Sequence, residues 1–177
     1  DPVLVMTPAD QTVTDPAAFT TTLRRAVHVA AKERQIVILG IVPDRPETGF
    51  GYIQTASTDE APLVSRFVEK PNAETAQRYL DEGQYYWNGG MFVLRASVWL
   101  DALQRVRPDI DRATRAAFAA RSNDALFVRP GKAEFAAVPS ESVDYAVMKK
   151  CPGSAFDIRM VALDAGWNDL GAWEAVW

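Results

Sequence analysis

The chain has 177 residues, which suits one domain large enough for a sizeable core. Its composition, 48% hydrophobic and 24% charged, is that of an ordinary soluble globular protein. A net charge of −4 speaks against broad nucleic-acid binding, and no apolar run is long enough to span a membrane, so neither nucleic acid nor a membrane is an expected partner.

In chain order, Val3-Leu4-Val5-Met6 predicts a buried strand that ends at Thr7-Pro8-Ala9-Asp10. Thr14 or Asp15 is placed to cap a helix with Pro16 in its first turn, and Phe19, Leu23, Val27 and Ala30 give that helix one apolar face. His28, the single histidine, sits beside this stripe and reads as solvated or structural. Gln35 to Val42 is a second continuous apolar strand. Strand, helix, strand with unbroken apolar runs predicts a parallel sheet covered on both faces, and the whole reads as one α/β layer structure.

Pro46 to Ile53 is a glycine-bearing loop running into a strand, and Leu63 to Glu69 is another strand. Ala73 to Asp81 reads as a helix with Gly83 near its end. Gly90 to Leu94 is apolar again, followed by a helix whose Val98, Leu100, Leu103 and Val106 are expected to face inward. Asp111 to Arg121 predicts a mostly exposed helix, Ser142 to Lys149 a short one, and Phe156 to Leu163 a late strand. Gly171 to Trp177 predicts the start of a last helix. Opening without methionine and closing inside a helical pattern, the chain reads as a piece of a longer protein. Cys151 is the only cysteine, which excludes an internal disulfide and a cysteine-based zinc site; with no visible signal peptide, this fits a reducing cytoplasm.

Chemistry is suggested first by Phe67-Val68-Glu69-Lys70-Pro71, where an apolar strand delivers a carboxylate and an ammonium side by side and a proline stops it. A Glu-Lys pair buried at a strand end is an unusual thing to build for stability alone. A carboxylate accepts two hydrogen bonds from neighbouring sugar hydroxyls, and a lysine offers a point charge to a phosphate. The alternative is an ordinary charged strand end before a turn. Asp10 follows the first strand and Asp169 the last, where ligands of an open parallel sheet gather. Two carboxylates there suit one magnesium ion (Mg2+), completed by water and substrate phosphates; taken singly, each is also a turn-forming aspartate. Gly49 and Gly51 flank Phe50, a spacing that serves close backbone approach to a ligand or a plain turn. Asn88 lies between Trp87 and two glycines, able to exchange hydrogen bonds with sugar hydroxyls or to cap a turn. Asp144 stands in the first turn after Ser142, where the helix dipole favours a negative charge. Trp87 and Trp167 adjoin these polar residues and are candidates to wall a pocket.

In this order, Pro8-Ala9-Asp10, GIVPDRPETGFGYI from Gly40, FVEKP from Phe67, WNGGMF from Trp87, SVDYAVM from Ser142 and GWNDLGAW from Gly166 resemble the nucleotidyltransferase domain of the mannose-1-phosphate guanylyltransferase family. The resemblance covers essentially the whole chain. It implies a Rossmann-like α/β domain, a mostly parallel sheet with helices on both faces, of the nucleotide-diphospho-sugar transferase type, that joins mannose 1-phosphate to GTP and releases pyrophosphate. By carry-over, Asp10 and Asp169 would hold Mg2+, Glu69 would grip the mannose hydroxyls, and Lys70 would meet the sugar-side phosphate. Asn88 and the backbone around Gly49 would complete the sugar pocket, with Asp144 orienting its residues. Asp10, Asp169 and Lys70 would be the catalytic set. A homodimer is compatible with it. The chain departs from the usual pattern at Gln11 (histidine or serine), at Gly89 (serine) and at Lys149 in Met148-Lys149-Lys150 (glutamate). Nothing in it matches the family's glycine-rich amino-terminal signature. The expectation is therefore that residues 1–177 are the central and C-terminal part of one incomplete domain that does not turn over alone, without its N-terminal nucleotide-binding part or any C-terminal domain. Glucose 1-phosphate with UTP or dTTP is the alternative substrate pair, and a non-catalytic sugar-nucleotide-binding module the alternative class.

Overall fold

The computed structural model describes residues 1–171, so the helix expected from Gly171 to Trp177 falls outside the described residues after its first position. The chain begins with β1 (Val3–Met6) and the short β2 (Gln11–Val13), then α1 (Pro16–Glu33). Asp15, not Thr14, caps α1: its Oδ1 accepts from the N–H groups of Ala17 and Ala18 at 3.0 and 2.9 Å. His28 is exposed on that helix, as a solvated histidine would be. β3 (Ile36–Ile41), β4 (Tyr52–Thr55) and β5 (Val64–Val68) follow, then α2 (Ala73–Glu82), capped by Asn72 Oδ1 on the Thr75 N–H at 2.9 Å. β6 (Tyr85–Arg95) leads into α3 (Ala96–Val106) and α4 (Pro108–Ala119). The small hairpin β7 (Ser122–Asp124) and β8 (Phe127–Arg129) precedes the short helices α5 (Lys132–Ala136) and α6 (Val143–Ala146). β9 (Ile158–Leu163) and β10 (Trp167–Asp169) close the described chain.

One six-stranded sheet runs β5-β4-β6-β3-β9, with β1 also on β6. β6 lies between β1 and β3 and is antiparallel to both, so the strand-helix-strand unit β1-α1-β3 crosses over it. β3 and β9 pair in parallel, while β4 is antiparallel to β5 and β6. It follows that β1, β3, β4 and β9 share one direction, against β5 and β6. The sheet is mixed, its majority direction agreeing with the parallel reading although most neighbours are antiparallel.

All residues of β3 are buried, because helices cover both faces. Ile36 and Ile38 point into one cluster with Phe92, Leu94, Val98 and Met148. Val37, Leu39 and Ile41 point into the other with Ala26, Ala30, Tyr52 and Trp87. On α3 one expectation fails: Leu100 is 43% exposed, and Ala102 takes the inward position beside Val98 and Leu103. A small residue there lets the helix sit closer to the sheet, and the larger leucine is left at the rim.

Cys151 is fully buried, with its thiol donating to the Val147 carbonyl at 3.3 Å. Desolvation pushes this thiol up to about 11. The expected result is no reaction with a chromogenic disulfide reagent at pH 8 in native protein and one thiol titrated after denaturation. Rapid native labelling would contradict the burial.

Candidate functional site

β9 ends at Leu163, and the chain turns through Gly166, whose φ of +61° lies in the left-handed region that glycine occupies freely. β10 then pairs antiparallel with β2, setting Trp167 opposite Val13, Asn168 opposite Thr12 and Asp169 opposite Gln11. Neither segment is assigned to a strand by the sequence. Together they form a ribbon that brings the two ends of the chain to one place. The Leu170 N–H donates to the Asp10 carbonyl at 3.0 Å and closes its end.

A second approach comes from β5. Glu69 and Lys70 lie just past its end, and both are exposed, which corrects the expectation of a buried pair. Lys70 has a φ of +38°, a left-handed conformation that costs a non-glycine residue roughly 1–2 kcal/mol. The partner of Glu69 is not its neighbour: Oε2 accepts from Lys149 Nζ at 2.5 Å.

The third approach is β6, which starts at Tyr85, well before the expected Gly90. Tyr85, Trp87 and Gly89 are buried while Tyr86, Asn88 and Gly90 are partly exposed, the alternation of a sheet with one covered face. Asn88 is fully oriented. Its N–H donates to the Gly51 carbonyl at 2.8 Å, its Nδ2 donates to Asp144 Oδ1 at 2.9 Å, and its Oδ1 accepts from the Gly90 N–H at 3.0 Å. Asp144 is thereby tied across from α6 to the sheet.

These approaches meet at a cavity of about 210 Å³ lined by Gly49, Glu69, Lys70, Asn88, Asp144 and Asp169. Asp10 is the candidate that the lining does not include. Asp10 lies just outside β2, whose first residue, Gln11, is paired with Asp169 across the ribbon. Gln11 takes the lining position instead. Its Nε2 donates to the Gly89 carbonyl at 2.8 Å, and its Oε1 accepts from Trp167 Nε1 at 3.0 Å. In sequence Gln11 was only a departure from a family pattern, and nothing local announced a bridge spanning 156 positions. Gly89, the second departure, is buried in β6. A Cβ there would meet Ile41 and Met91 side-chain atoms at 3.1–3.2 Å, so a side chain at this position faces the core, not the sugar pocket.

A larger cavity of about 860 Å³ adjoins the first, sharing Gly49, Phe50, Trp167 and Asp169 as common wall. The Phe50 ring meets Trp87 and Trp167 edge-on at 5.2 and 5.4 Å, fixing that wall. Glu47 and Arg45 line the larger cavity. The Gly49 N–H donates to Glu47 Oε1 at 2.8 Å and holds the Glu47 carboxyl below its ordinary value, with Arg45 adding to the effect against desolvation. That N–H is thus engaged by Glu47.

Among the described residues no group of three or more histidine, cysteine, aspartate or glutamate side chains forms a metal cage. Magnesium asks for less: one or two carboxylates, the rest being water and phosphate oxygens. Asp169, which lines both cavities, is compatible with that donor set, whereas Asp10 is tied to the ribbon through its backbone carbonyl alone.

A family model described as nucleotidyl transferase matches residues 1–177. The chain is 46% identical over 176 residues to the xanthan biosynthesis protein XanB of Xanthomonas campestris pv. campestris (strain B100), covering 99% of this chain and 37% of that one. It is 44% identical over 183 residues to the mannose-1-phosphate guanylyltransferase of Escherichia coli (strain K12), covering 100% of this chain and 37% of that one. The solved structure of mannose-1-phosphate geranyltransferase from Thermus thermophilus superposes with a TM-score of 0.83 at 32% identity, covering 98% of this chain and 48% of that one. The chain spans about 37% of the length of these curated relatives.

Proposed function

The chain belongs to the nucleotidyl transferase family, and from that premise we propose that it supplies the sugar and metal side of a site joining mannose 1-phosphate to GTP. The observation that carries the reading is the single cavity in which Glu69, Lys70, Asn88, Asp144 and Asp169 converge from four separate segments. A phosphate oxygen of the sugar 1-phosphate attacks the α-phosphorus of GTP in line. The bond from that phosphorus to the bridging oxygen breaks, and pyrophosphate leaves. Such a transfer needs positioning and charge neutralisation and no protein nucleophile.

Each side chain has a part in this. Glu69 accepts hydrogen bonds from the mannose hydroxyls, and Asn88, locked by Asp144, presents its amide to the same ring. Lys70 meets the phosphate that attacks. Asp169 stands where the two cavities join and would hold magnesium there; Asp10, which lines neither cavity, is its second ligand only on the family resemblance. Magnesium, when bound, supplies charge neutralisation to the phosphate oxygens. The larger cavity beyond Asp169 is the side from which the triphosphate would enter. Among the described residues no helix is long and apolar enough to cross a membrane. We place the reaction in the cytoplasm, where both substrates are available.

The test is pyrophosphate release by the intact protein, offered GTP, UTP and dTTP against mannose 1-phosphate and glucose 1-phosphate with magnesium. Release with GTP and mannose 1-phosphate alone supports the reading, and preference for glucose 1-phosphate with UTP or dTTP replaces its substrates. Within the same site, Glu69→Gln is expected to weaken mannose 1-phosphate binding by about tenfold, the scale of a hydrogen bond to a charged group, with the KM for GTP within about twofold. Unchanged sugar-phosphate affinity would remove Glu69 from the pocket.

A further inference from the structure

Lys149 has no part in the roles above, yet it makes the one ion pair of Glu69 among the described residues. Its Nζ lies 2.5 Å from Glu69 Oε2 and 3.7 Å from the centroid of the Tyr145 ring, a residue that itself lines the small cavity. The lysine side chain is 19% exposed and the glutamate 42%. A pair this unequally exposed has one anchored member and one that faces solvent. The anchor is Lys149, because Ala146, Val147 and Met148 just before it are buried in the core. Glu69, by contrast, lies past the end of β5, with no sheet pairing of its own to fix its carboxylate.

Charge points the same way. The small cavity is lined by the carboxylates of Glu69, Asp144 and Asp169, with Lys70 as its cationic lining residue. A sugar phosphate brings further negative charge into it. A partly buried ammonium on Glu69 offsets part of that repulsion, and on its less exposed side is screened less than a fully solvated charge would be. Burial pulls the ammonium of Lys149 down, but its bonds to Glu69 and Tyr145 outweigh this and leave its pKa above the ordinary lysine value. It therefore stays charged at neutral pH.

We propose that Lys149 is a positioning residue for the sugar: it holds Oε2 of Glu69 so that Oε1 is presented to the hydroxyls. This rests on the reading of Glu69 given above. The structure also defines the rival, in which Lys149 competes with the sugar for the carboxylate, and the two differ in the sign of what its removal does.

The experiment measures the affinity of the intact protein for mannose 1-phosphate by calorimetry and for mannose by ligand-observed NMR. The variants are Lys149→Met, Lys149→Gln, Lys149→Arg, Glu69→Gln and the Glu69→Gln/Lys149→Met double. Lys149→Met keeps much of the side chain's length without its charge and is expected to weaken both ligands by the same factor, about fivefold. Lys149→Gln gives a smaller loss and a second reading should the methionine variant not fold. Lys149→Arg restores most of the affinity, and the double variant binds no more weakly than Glu69→Gln alone. Unchanged or tighter binding in Lys149→Met or Lys149→Gln overturns the proposal. So does a loss confined to mannose 1-phosphate, which would make Lys149 a direct phosphate contact. If Glu69→Gln weakens binding and Lys149→Met does not, the positioning role alone falls. If Glu69→Gln leaves both affinities unchanged, the sugar-pocket reading falls and this proposal with it.

Discussion

Asp169→Asn is expected to lower kcat of the intact protein by on the order of a hundredfold or more, while the affinity for mannose 1-phosphate stays within about twofold. The split follows from where the residue stands. Asp169 belongs to the wall common to both cavities, at the junction of the proposed sugar and triphosphate sides, while Glu69 and Asn88 line the small cavity alone. Asparagine preserves shape and removes the negative charge, so sugar binding is spared and the neutralisation of the reacting phosphates is not. The magnesium concentration giving half-maximal rate should rise in the same variant. Asp10→Asn is the companion measurement. Its backbone is tied to Leu170, but the small cavity is lined by Gln11, its neighbour. An equal loss at Asp10 supports two carboxylates on one cation, and a much smaller one assigns the metal to Asp169. A kcat within about threefold of wild type in Asp169→Asn, at an unchanged magnesium midpoint, removes Asp169 from the chemistry.

Much of the framework was legible because burial on both faces leaves a simple mark. β3 is an unbroken apolar run and is buried throughout, and α2 ends at Gly83 as its turn chemistry predicts. β6 was legible only in its last half, since Gly89 and Gly90 carry no side chain to show the alternation that Tyr85 and Trp87 begin. The ribbon of β2 and β10 was not legible at all. Each strand has three residues, too few for a period, and their partners lie at opposite ends of the chain. The hairpin β7–β8 escaped for a different reason: its turn runs through Ala125 at a φ of +41°, without the glycine or asparagine that usually signals such a turn. At the site, motif order pointed to Glu69, Asn88, Asp144 and Asp169, which the fold gathers. Gln11 and Lys149 stood out only as departures from a family pattern, because their importance lies in partners 78 and 80 residues away. Spacing along the chain has no access to such contacts. The exposed setting of Glu69 and Lys70 is not legible, because an apolar lead-in gives no sign of where burial stops.

Gly166→Ala is expected to destabilise the protein by about 2–3 kcal/mol in chemical denaturation, and to reduce activity beyond what the loss of folded protein explains. Two costs combine. An alanine at φ +61° occupies the left-handed region against its preference. Its Cβ would also overlap Thr14 Oγ1 and stand 3.2 Å from Thr14 Cβ. Thr14→Ala in the same chain should recover the steric part and leave the backbone part, so the double variant returns to about 1–2 kcal/mol below wild type. A destabilisation below about 0.5 kcal/mol in the single variant would show that the turn relaxes freely. The effect on activity has a separate cause. Thr14 N–H donates to the carbonyls of Ala165 and Gly166 at 3.1 and 3.2 Å, and Asp15 N–H donates to Ala165 at 3.0 Å. These bonds register β10 against β2 and so set where Asp169 emerges. A push at Gly166 is carried along an extended strand with few ways to absorb it, because the opposite end is held by Leu170 on Asp10. Asp169 must then move with the ribbon, and a displacement of about 1 Å at a charge-neutralising group is enough to cost roughly a hundredfold in rate. In Gly166→Ala, therefore, kcat should fall more steeply than sugar-phosphate affinity, the same split as in Asp169→Asn, and Thr14→Ala should restore part of both stability and rate.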